Sequence, residues 1–241
     1  MSFSRTIWNT HNGQRIQAKT ENQDKLFKAI DKNKIVFASG QAGTGKTFCT
    51  VAKALELMER EGYSKLILSR PIIEAKGERL GFLPGDLGDK IAPYLQPLFD
   101  ILKDLADYNQ DDLPTNDIPS KKKKKKTHID KLDLKSKVDI LPIAYMRGKT
   151  FRDAIVIIDE AQNITPHQMK LILSRLGEHS KMIFCGDTRQ SDIGNDNCGL
   201  TYCVNNLKDI KKIGFIEFTK DDIVREGIIK DILEVFENDM I

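Results

Sequence analysis

The chain has 241 residues, a formal net charge of +3, 40% hydrophobic residues and 30% charged residues, an ordinary balance for one soluble domain. It has no apolar run long enough to span a bilayer, and its polar N-terminus lacks the apolar centre of a signal peptide. The four cysteines form no CxxC pair, which argues against a zinc site and predicts reduced thiols, with Cys49 and Cys185 in the core. We therefore expect a cytoplasmic protein with no membrane partner.

Short apolar segments rich in Val, Ile and Phe predict buried strands at Ile35–Ser39, Leu66–Ser69, Val138–Ile143, Ile155–Ile158, Met182–Cys185 and Phe215–Phe218. Helical patterns lie between most of them, at Lys46–Arg60, Asp89–Leu105, Pro166–Leu176 and Asp222–Phe236. Pro93 and Pro97 are expected to confine regular helix to the ends of the second, and Thr165 is the expected N-cap of the third. This alternation predicts an α/β fold, a mostly parallel sheet with helices on both faces.

Two polar segments are expected to be weakly ordered. One is an N-terminal extension, residues 1–18, and the other is an insertion at 107–136 that contains six consecutive lysines, Lys121–Lys126. Such a run of like charges is a solvated loop in most proteins, and its alternative role is a flexible arm for phosphate backbones. Because the patterned segments resume after the insertion, residues 19–241 are expected to form a single domain.

The segment GQAGTGKT matches the phosphate-loop pattern G-x-x-x-x-G-K-[ST] and lies between a predicted strand and a predicted helix. Its glycines let backbone N–H groups turn toward phosphate oxygens, and the helix N-terminus favours an anion. Lys46 is expected to contact the β- and γ-phosphates, and the Thr47 hydroxyl to ligate Mg²⁺. The expected ligands are therefore ATP and Mg²⁺, and the predicted nucleotide-binding residues are Gly40, Gln41, Ala42, Gly43, Thr44, Gly45, Lys46, Thr47 and Phe48.

A second motif, Asp159-Glu160, follows the apolar run Ile155–Ile158. An aspartate at the end of such a strand lies beside the phosphate loop, where it can hold the Mg²⁺ shell. A carboxylate next to it, Glu160, can orient and deprotonate a water molecule, a feature that favours a hydrolase over a kinase.

The segment Gly186-Asp187-Thr188-Arg189-Gln190 follows the predicted strand Met182–Cys185 and should end at the same sheet edge as Asp159. The neutral amide of Gln190 can donate to a γ-phosphate and accept from a water molecule, so Gln190 is predicted to sense the phosphate. Asp187 is predicted to shape the turn. Taken alone, the segment is also compatible with an ordinary polar loop.

DEAQ combined with GDxxQ resembles the first motor domain of superfamily 1 helicases. A closer resemblance is to the PhoH family of P-loop ATPases of bacteria and phages. It is carried by GQAGTGKT, SRPIIEAKGERLGFLPGDLGDKIAPYLQPLFD, LPIAYMRGKTF, IIDEAQNITPHQMKLILSRLG and SKMIFCGDTRQSD, which together cover most of residues 20–241. The resemblance implies a RecA-like core, ATP hydrolysis, a role connected with RNA, and assembly into rings, usually hexamers.

The resemblance also assigns two further residues. Gln23 in ENQDKLF matches a glutamine that binds the adenine edge, and a solvated helix residue is the alternative. Arg225 in DDIVREGI matches the family's VR pair and resembles an arginine finger, although EGI stands where family members often have HPL. A solvated helix residue is the alternative for Arg225 as well. A single motor domain would take such an arginine from a neighbouring chain, which favours a homo-oligomer.

These observations predict a Mg²⁺-dependent ATPase in which Lys46, Glu160, Gln190 and Arg225 are catalytic, Thr47 and Asp159 hold the metal, and RNA or single-stranded nucleic acid is a partner. For a phage member, the compartment would be the host cytoplasm. The alternatives are a nucleotide-gated scaffold with slow hydrolysis and a small-molecule kinase, which Glu160 and Gln190 disfavour. Arg70, Arg147 and Lys149 flank motifs at predicted strand ends, where nucleic acid, phosphate and a neighbouring subunit are all possible contacts.

Overall fold

The computed structural model describes residues 5–72, 87–108 and 134–224, without the side chains of residues 87–90, 135 and 195. The strands are β1 (Trp8–Asn9), β2 (Arg15–Ile16), β3 (Ile35–Gly40), β4 (Lys65–Ser69), β5 (Val138–Ile140), β6 (Ala154–Ile158), β7 (Lys181–Gly186) and β8 (Ile213–Phe218). The helices are α1 (Glu21–Lys32), α2 (Lys46–Glu61), α3 (Leu87–Ala106), α4 (Leu134–Lys137), α5 (Pro166–Leu173) and α6 (Gly199–Asn206). Most of the predicted insertion, including the lysine run, lies outside the described residues, as does Arg225.

Six strands form one sheet in the order β5-β4-β6-β7-β3-β8, and every neighbouring pair is parallel. The strand that precedes the phosphate loop, β3, is separated from the strand that precedes Asp159, β6, by β7. This arrangement confirms the predicted RecA-like α/β fold. It also brings the carboxyl ends of β3, β6 and β7, which carry the three sequence motifs, to one edge of the sheet.

Side chains alternate between the two faces of the sheet, as the pleat of a strand requires. Val36 and Ala38 of β3 contribute to one apolar core, and Phe37 to the other. The first core is covered by α1, α2 and α3, and the second by α5 and α6. Helices therefore cover both faces, and the predicted core positions of Cys49 and Cys185 are confirmed.

The prediction for α3 was wrong, since this helix runs continuously from Leu87 to Ala106 through both Pro93 and Pro97. The two prolines are four residues apart and exposed, whereas Leu98 and Leu102 on the other side of the helix are buried. A carbonyl deprived of its helical donor by an exposed proline can bond to water, so apolar burial outweighs the lost hydrogen bonds. Among the described residues, no helix, α3 included, is long and apolar enough to cross a membrane.

Three predicted boundaries also differ from the structure. β5 ends at Ile140, and Pro142 precedes a 3₁₀ turn at Ile143–Met146, because proline cannot donate to a sheet ladder. α5 begins at Pro166 with the predicted Thr165 cap, which forms a capping box with Gln168, but it ends at Leu173. The predicted helix does not begin at Asp222, since Lys220–Asp222 is a 3₁₀ turn and the chain is extended at Ile223.

Residues 5–18 are ordered, in contrast to the weak order predicted for the N-terminal extension. β1 and β2 form an antiparallel hairpin, and Ile7 and Ile16 are buried in the first core. The Trp8 indole N–H donates to the Leu105 carbonyl oxygen at 2.9 Å, which attaches the hairpin to α3. The prediction failed because the segment is mostly polar, and its order depends on a few apolar residues that are buried in the core.

Lys181, the first residue of β7, connects the sheet to the C-terminal end of α1. Its ammonium donates to the carbonyl oxygens of Ile30, Asp31 and Asn33 at 2.8, 3.1 and 2.9 Å. Carbonyls at a helix C-terminus lack helical donors, and a cation there is favourable. Burial lowers the pKa of Lys181 below its ordinary value, so desolvation opposes this stabilisation.

We expect Lys181→Met to lower the free energy of unfolding by about 1–3 kcal/mol, because three carbonyls lose a charged donor at a site that is 8% exposed. Urea titration monitored by circular dichroism measures the loss. Lys208→Met, at an exposed lysine, is the matched control and should change stability by less than about 0.5 kcal/mol. Equal stability of the two variants would show that the desolvation of Lys181 cancels its hydrogen bonds.

Candidate functional site

The phosphate loop connects the end of β3 to the start of α2. Gly40, Gly43 and Gly45 have positive φ angles of 137°, 82° and 80°, which L side chains adopt only with strain. A β-carbon at Gly40 would also lie 2.3 Å from the carbonyl oxygen of Phe218, so the neighbouring strand β8 excludes any side chain there. The conformation of the loop therefore favours glycine at all three positions.

The Lys46 ammonium lies inside the curve of this loop. It donates to the carbonyl oxygens of Gly40 and Gln41, at 2.6 Å each, and to the Thr44 hydroxyl at 3.3 Å. Lys46 is 8% exposed, and burial lowers its pKa while the carboxylates of Asp187, Asp159 and Glu160 oppose the shift. A phosphate oxygen is a stronger acceptor for this ammonium than a neutral carbonyl.

Thr47 and Asp159 face each other across the sheet edge. The Thr47 hydroxyl donates to Asp159 Oδ1 at 2.6 Å. Asp159 is 8% exposed, and burial raises its pKa while the Thr47 hydrogen bond opposes the shift. A buried carboxylate next to a hydroxyl is a pair of hard oxygen ligands, and a divalent cation would offset the cost of burying the charge.

Glu160 follows directly, in the left-handed region at φ 51° and ψ 41°. Its carboxylate is held from two sides. The Arg70 guanidinium donates to Glu160 Oε1 at 3.3 Å and lies 3.8 Å from Asp159 Oδ2. The Gln162 amide donates to Glu160 Oε2 at 2.6 Å.

The turn after β7 is built around Asp187. Asp187 Oδ1 accepts the backbone N–H of Arg189 at 3.1 Å, and the Asp187 carbonyl accepts the N–H of Gln190 at 3.0 Å. Asp187 Oδ2 is buried and has no hydrogen-bond partner among the described residues. The Gln190 side chain is exposed and lines the same cleft as Lys46.

These elements surround a cleft of about 650 Å³, the size of a small-molecule site. Its walls bring together most of the predicted residues, namely Gln23, Ala42, Gly43, Gly45, Lys46, Thr47, Phe48, Asp159, Glu160, Asp187 and Gln190. Gly40, Gln41 and Thr44 lie behind this lining and shape the loop. Arg147 and Lys149 are exposed beyond β5 and do not line the cleft.

Part of the cleft wall is formed by residues 14–19 and by Pro97 and Ile101 of α3. These residues were not predicted, because nothing in a polar N-terminal segment marks it as a wall of a site. Gln23 contacts residues 14–19 through Lys19 and is 2% exposed, so it is not the solvated helix residue of the alternative interpretation. Its amide donates to the Thr44 carbonyl at 3.0 Å and accepts the N–H of Lys19 at 2.7 Å, so it connects the hairpin to the phosphate loop.

Arg70 and Gln162 are the other residues for which the structure adds information. The sequence is compatible with three kinds of contact for Arg70, and the structure pairs it with Glu160 and Asp159 at the cleft. Gln162 belongs to the DEAQ motif, two residues after Glu160. This short separation is the sequence feature that could have predicted its contact with Glu160. Val224 also lines the cleft, and its N–H donates to the Gly43 carbonyl at 3.2 Å. Arg225 follows Val224 in sequence.

Comparison with known proteins agrees with the motifs. A family model described as PhoH-like protein matches residues 15–237. A PhoH-like protein of Mycobacterium bovis is 42% identical over 225 residues, which cover 93% of this chain and 58% of that protein. A PhoH-like protein of Bacillus subtilis is 40% identical over 236 residues, which cover 98% of this chain and 68% of that protein.

A solved structure of the large terminase from a thermophilic bacteriophage has a TM-score of 0.48 at 13% identity, covering 89% of this chain and 49% of the terminase. The mycobacterial relative is longer than this chain, which spans 58% of its length. The family model covers most of the chain, including the phosphate loop, the Asp159-Glu160 strand end and the turn after β7. The chain therefore belongs to the PhoH-like protein family.

Proposed function

We propose that the chain binds Mg-ATP in the cleft and hydrolyses it, with Glu160 as the general base. The observation that supports this most directly is the position of Glu160, which shares one cleft with Lys46, Thr47 and Asp159. A general base must lie within hydrogen-bond reach of the proton that it removes, and the end of β6 places Glu160 beside the phosphate loop.

Thr47 and Asp159 are the residues that would hold Mg²⁺. Their facing oxygen atoms suit this hard cation, and the bound cation would balance negative charge on the phosphates. The backbone N–H groups of the loop and the Lys46 ammonium would bind the phosphate oxygens. Gln190 would contact the γ-phosphate or the attacking water through its neutral amide. Gln23 would contact the adenine through the amide N–H and oxygen lone pair that are not used in its hydrogen bonds to Thr44 and Lys19.

A second candidate, a nucleotide-gated scaffold with slow hydrolysis, is favoured by the contacts of Glu160. Both of its carboxylate oxygens accept hydrogen bonds from the protein, from Arg70 and from Gln162. With one oxygen engaged by the Arg70 guanidinium, the Glu160 carboxylate would be less available to the proton of a water molecule, and hydrolysis would stay slow. RNA or another single-stranded nucleic acid is the proposed partner, on the basis of the family resemblance.

Steady-state ATP hydrolysis with and without single-stranded RNA discriminates the two candidates. We expect stimulation of at least about 10-fold if nucleic acid is the partner that completes the site, since each tenfold change corresponds to about 1.4 kcal/mol of barrier. A rate that RNA leaves unchanged would favour the scaffold. Single-stranded DNA of the same sequence is the control for the type of sugar.

Glu160→Gln should bind Mg-ATP as the parent does but hydrolyse it about 10²–10⁴-fold more slowly, because the amide cannot accept the proton of water. Nucleotide titration and single-turnover hydrolysis measure the two properties separately. Lys46→Ala is the contrasting variant, since it should lose affinity for the nucleotide itself. Turnover of Glu160→Gln near the parent rate would mean that another group is the base.

Arg225 is proposed to act across an interface in a ring, for which a hexamer is the expectation from the family. An arginine supplied in trans is worth roughly 10³–10⁵ in kcat. Because the preceding residue, Val224, is hydrogen-bonded to Gly43 of its own chain, the experiment must separate an own-chain role from a neighbouring-chain role.

Mixing Arg225→Ala chains with Lys46→Ala chains should restore part of the activity, because some interfaces then combine an intact Lys46 with an intact Arg225. ATP turnover is measured across mixing ratios, with co-assembly verified by native mass spectrometry. Mixing Lys46→Ala with Glu160→Gln chains is the control and should restore nothing, since both residues line the same cleft of one chain. If co-assembled Arg225→Ala and Lys46→Ala chains stay inactive at every ratio, the arginine does not act in trans.

A further inference from the structure

Gln162 lies in the 3₁₀ turn Ala161–Asn163, two residues after Glu160, and its side chain contacts both Glu160 and Asp187, the residue that follows β7. It is 3% exposed. Its Nε2 donates to Glu160 Oε2 at 2.6 Å, and its Oε1 accepts the backbone N–H of Asp187 at 3.1 Å. One buried amide therefore connects the proposed base to the turn that carries Gln190.

The orientation of this amide is determined by its partners. The N–H of Asp187 can only donate, so it must face the amide oxygen, and the NH₂ group is then directed at the carboxylate of Glu160. A β-carbon at Gly186 would lie 2.5 Å from Gln162 Oε1, so the amide occupies the volume that a side chain at 186 would need. A buried amide with both ends bonded has little freedom to rotate.

Further hydrogen bonds join the same two segments. The Ser191 hydroxyl donates to the Gln162 carbonyl oxygen at 3.2 Å. Asn163 and Asp192 form a reciprocal pair, in which the Asn163 amide donates to Asp192 Oδ2 and the Asp192 N–H donates to Asn163 Oδ1, at 2.9 Å each. The turn after β7 and the segment that carries Glu160 are thus tied together, and a displacement of one reaches the other through Gln162.

We propose that Gln162 is a positioning residue. It holds the carboxylate of Glu160 in a fixed position relative to the turn that carries Gln190. The proposal rests on the proposed role of Glu160 as the general base. The Glu160 side chain is 37% exposed, so without contacts from the protein it could adopt several rotamers. With Gln162 removed, the longer contact from Arg70, at 3.3 Å, is the remaining side-chain hydrogen bond to the carboxylate among the described residues.

The test uses two variants of the full chain. Gln162→Leu removes both amide contacts at similar volume, and we expect kcat to fall about 10–100-fold while KM for ATP stays within about 3-fold, since displacement of a reacting group by about 1 Å costs on the order of 10²-fold. Gln162→Met also removes the donor to Glu160, with an unbranched side chain that has nearly the shape of glutamine, so it should lose as much kcat. Because it is nearly isosteric, it keeps the test valid if the leucine variant does not fold.

Gln168→Leu is the matched control. Gln168 caps α5 through Thr165 and lies outside the cleft, so its loss should lower the melting temperature and leave kcat at the parent value. If stability alone explained the effect of Gln162→Leu, the two variants would show the same relation between melting temperature and kcat.

A double-mutant cycle decides whether Gln162 acts through Glu160. In single-turnover hydrolysis, Glu160→Gln with Gln162→Leu should be no more than about 2-fold slower than Glu160→Gln alone, because a residue that positions the base has nothing left to position. Additive losses, or a parent-like kcat for both Gln162 variants, would overturn the proposal. Parent-like turnover of Glu160→Gln would instead refute the proposed base, and the positioning role would fall with it.

Discussion

The site depends on the register of four parallel strands. Because side chains alternate between two buried faces, a shift of one residue would exchange the core sets, and apolar burial therefore specifies the register strongly. In the observed register Ser69 pairs with Ile158, and Ser39 with Gly186. Each of the polar segments thus begins where its strand leaves the core. The convergence of phosphate loop, carboxylates and Gln190 turn is a consequence of core packing.

Burial also determines the electrostatics of this edge. Desolvation raises the pKa of Asp159 and lowers that of Lys46, so each charged form is disfavoured by its surroundings. Local hydrogen bonds oppose this desolvation. The Thr47 hydroxyl donates to Asp159, and the Lys46 ammonium donates to carbonyl oxygens of the phosphate loop. The proposed metal-bound polyphosphate would bring the complementary charges to both groups, and its binding free energy would then offset the cost of keeping them buried.

Much of this arrangement could be predicted from the sequence, because motifs and apolar runs are local signals. The phosphate loop, the Asp159-Glu160 strand end and the order of strands and helices follow from patterns within about ten residues. The errors come from tertiary context. Pro93 and Pro97 remain helical because they face solvent, and the hairpin is ordered because Ile7 and Ile16 reach a core built by distant segments. The pairing of Arg70 with Glu160 joins residues 90 positions apart, which a single sequence cannot indicate.

The position of β7 gives a physical reason for a second Gly-Asp at the sheet edge. β7 lies between β3, which precedes the phosphate loop, and β6, which precedes Asp159. The end of β7 must therefore fit between the phosphate loop and Asp159. A side chain at position 186 would collide with Gln162, and glycine alone leaves room for the amide. The following Asp187 supplies the N–H that orients this amide and an oxygen that closes the turn toward Gln190. The Gly-Asp pair thus holds the turn after β7 in a fixed position relative to Glu160, a role distinct from the metal binding proposed for Asp159.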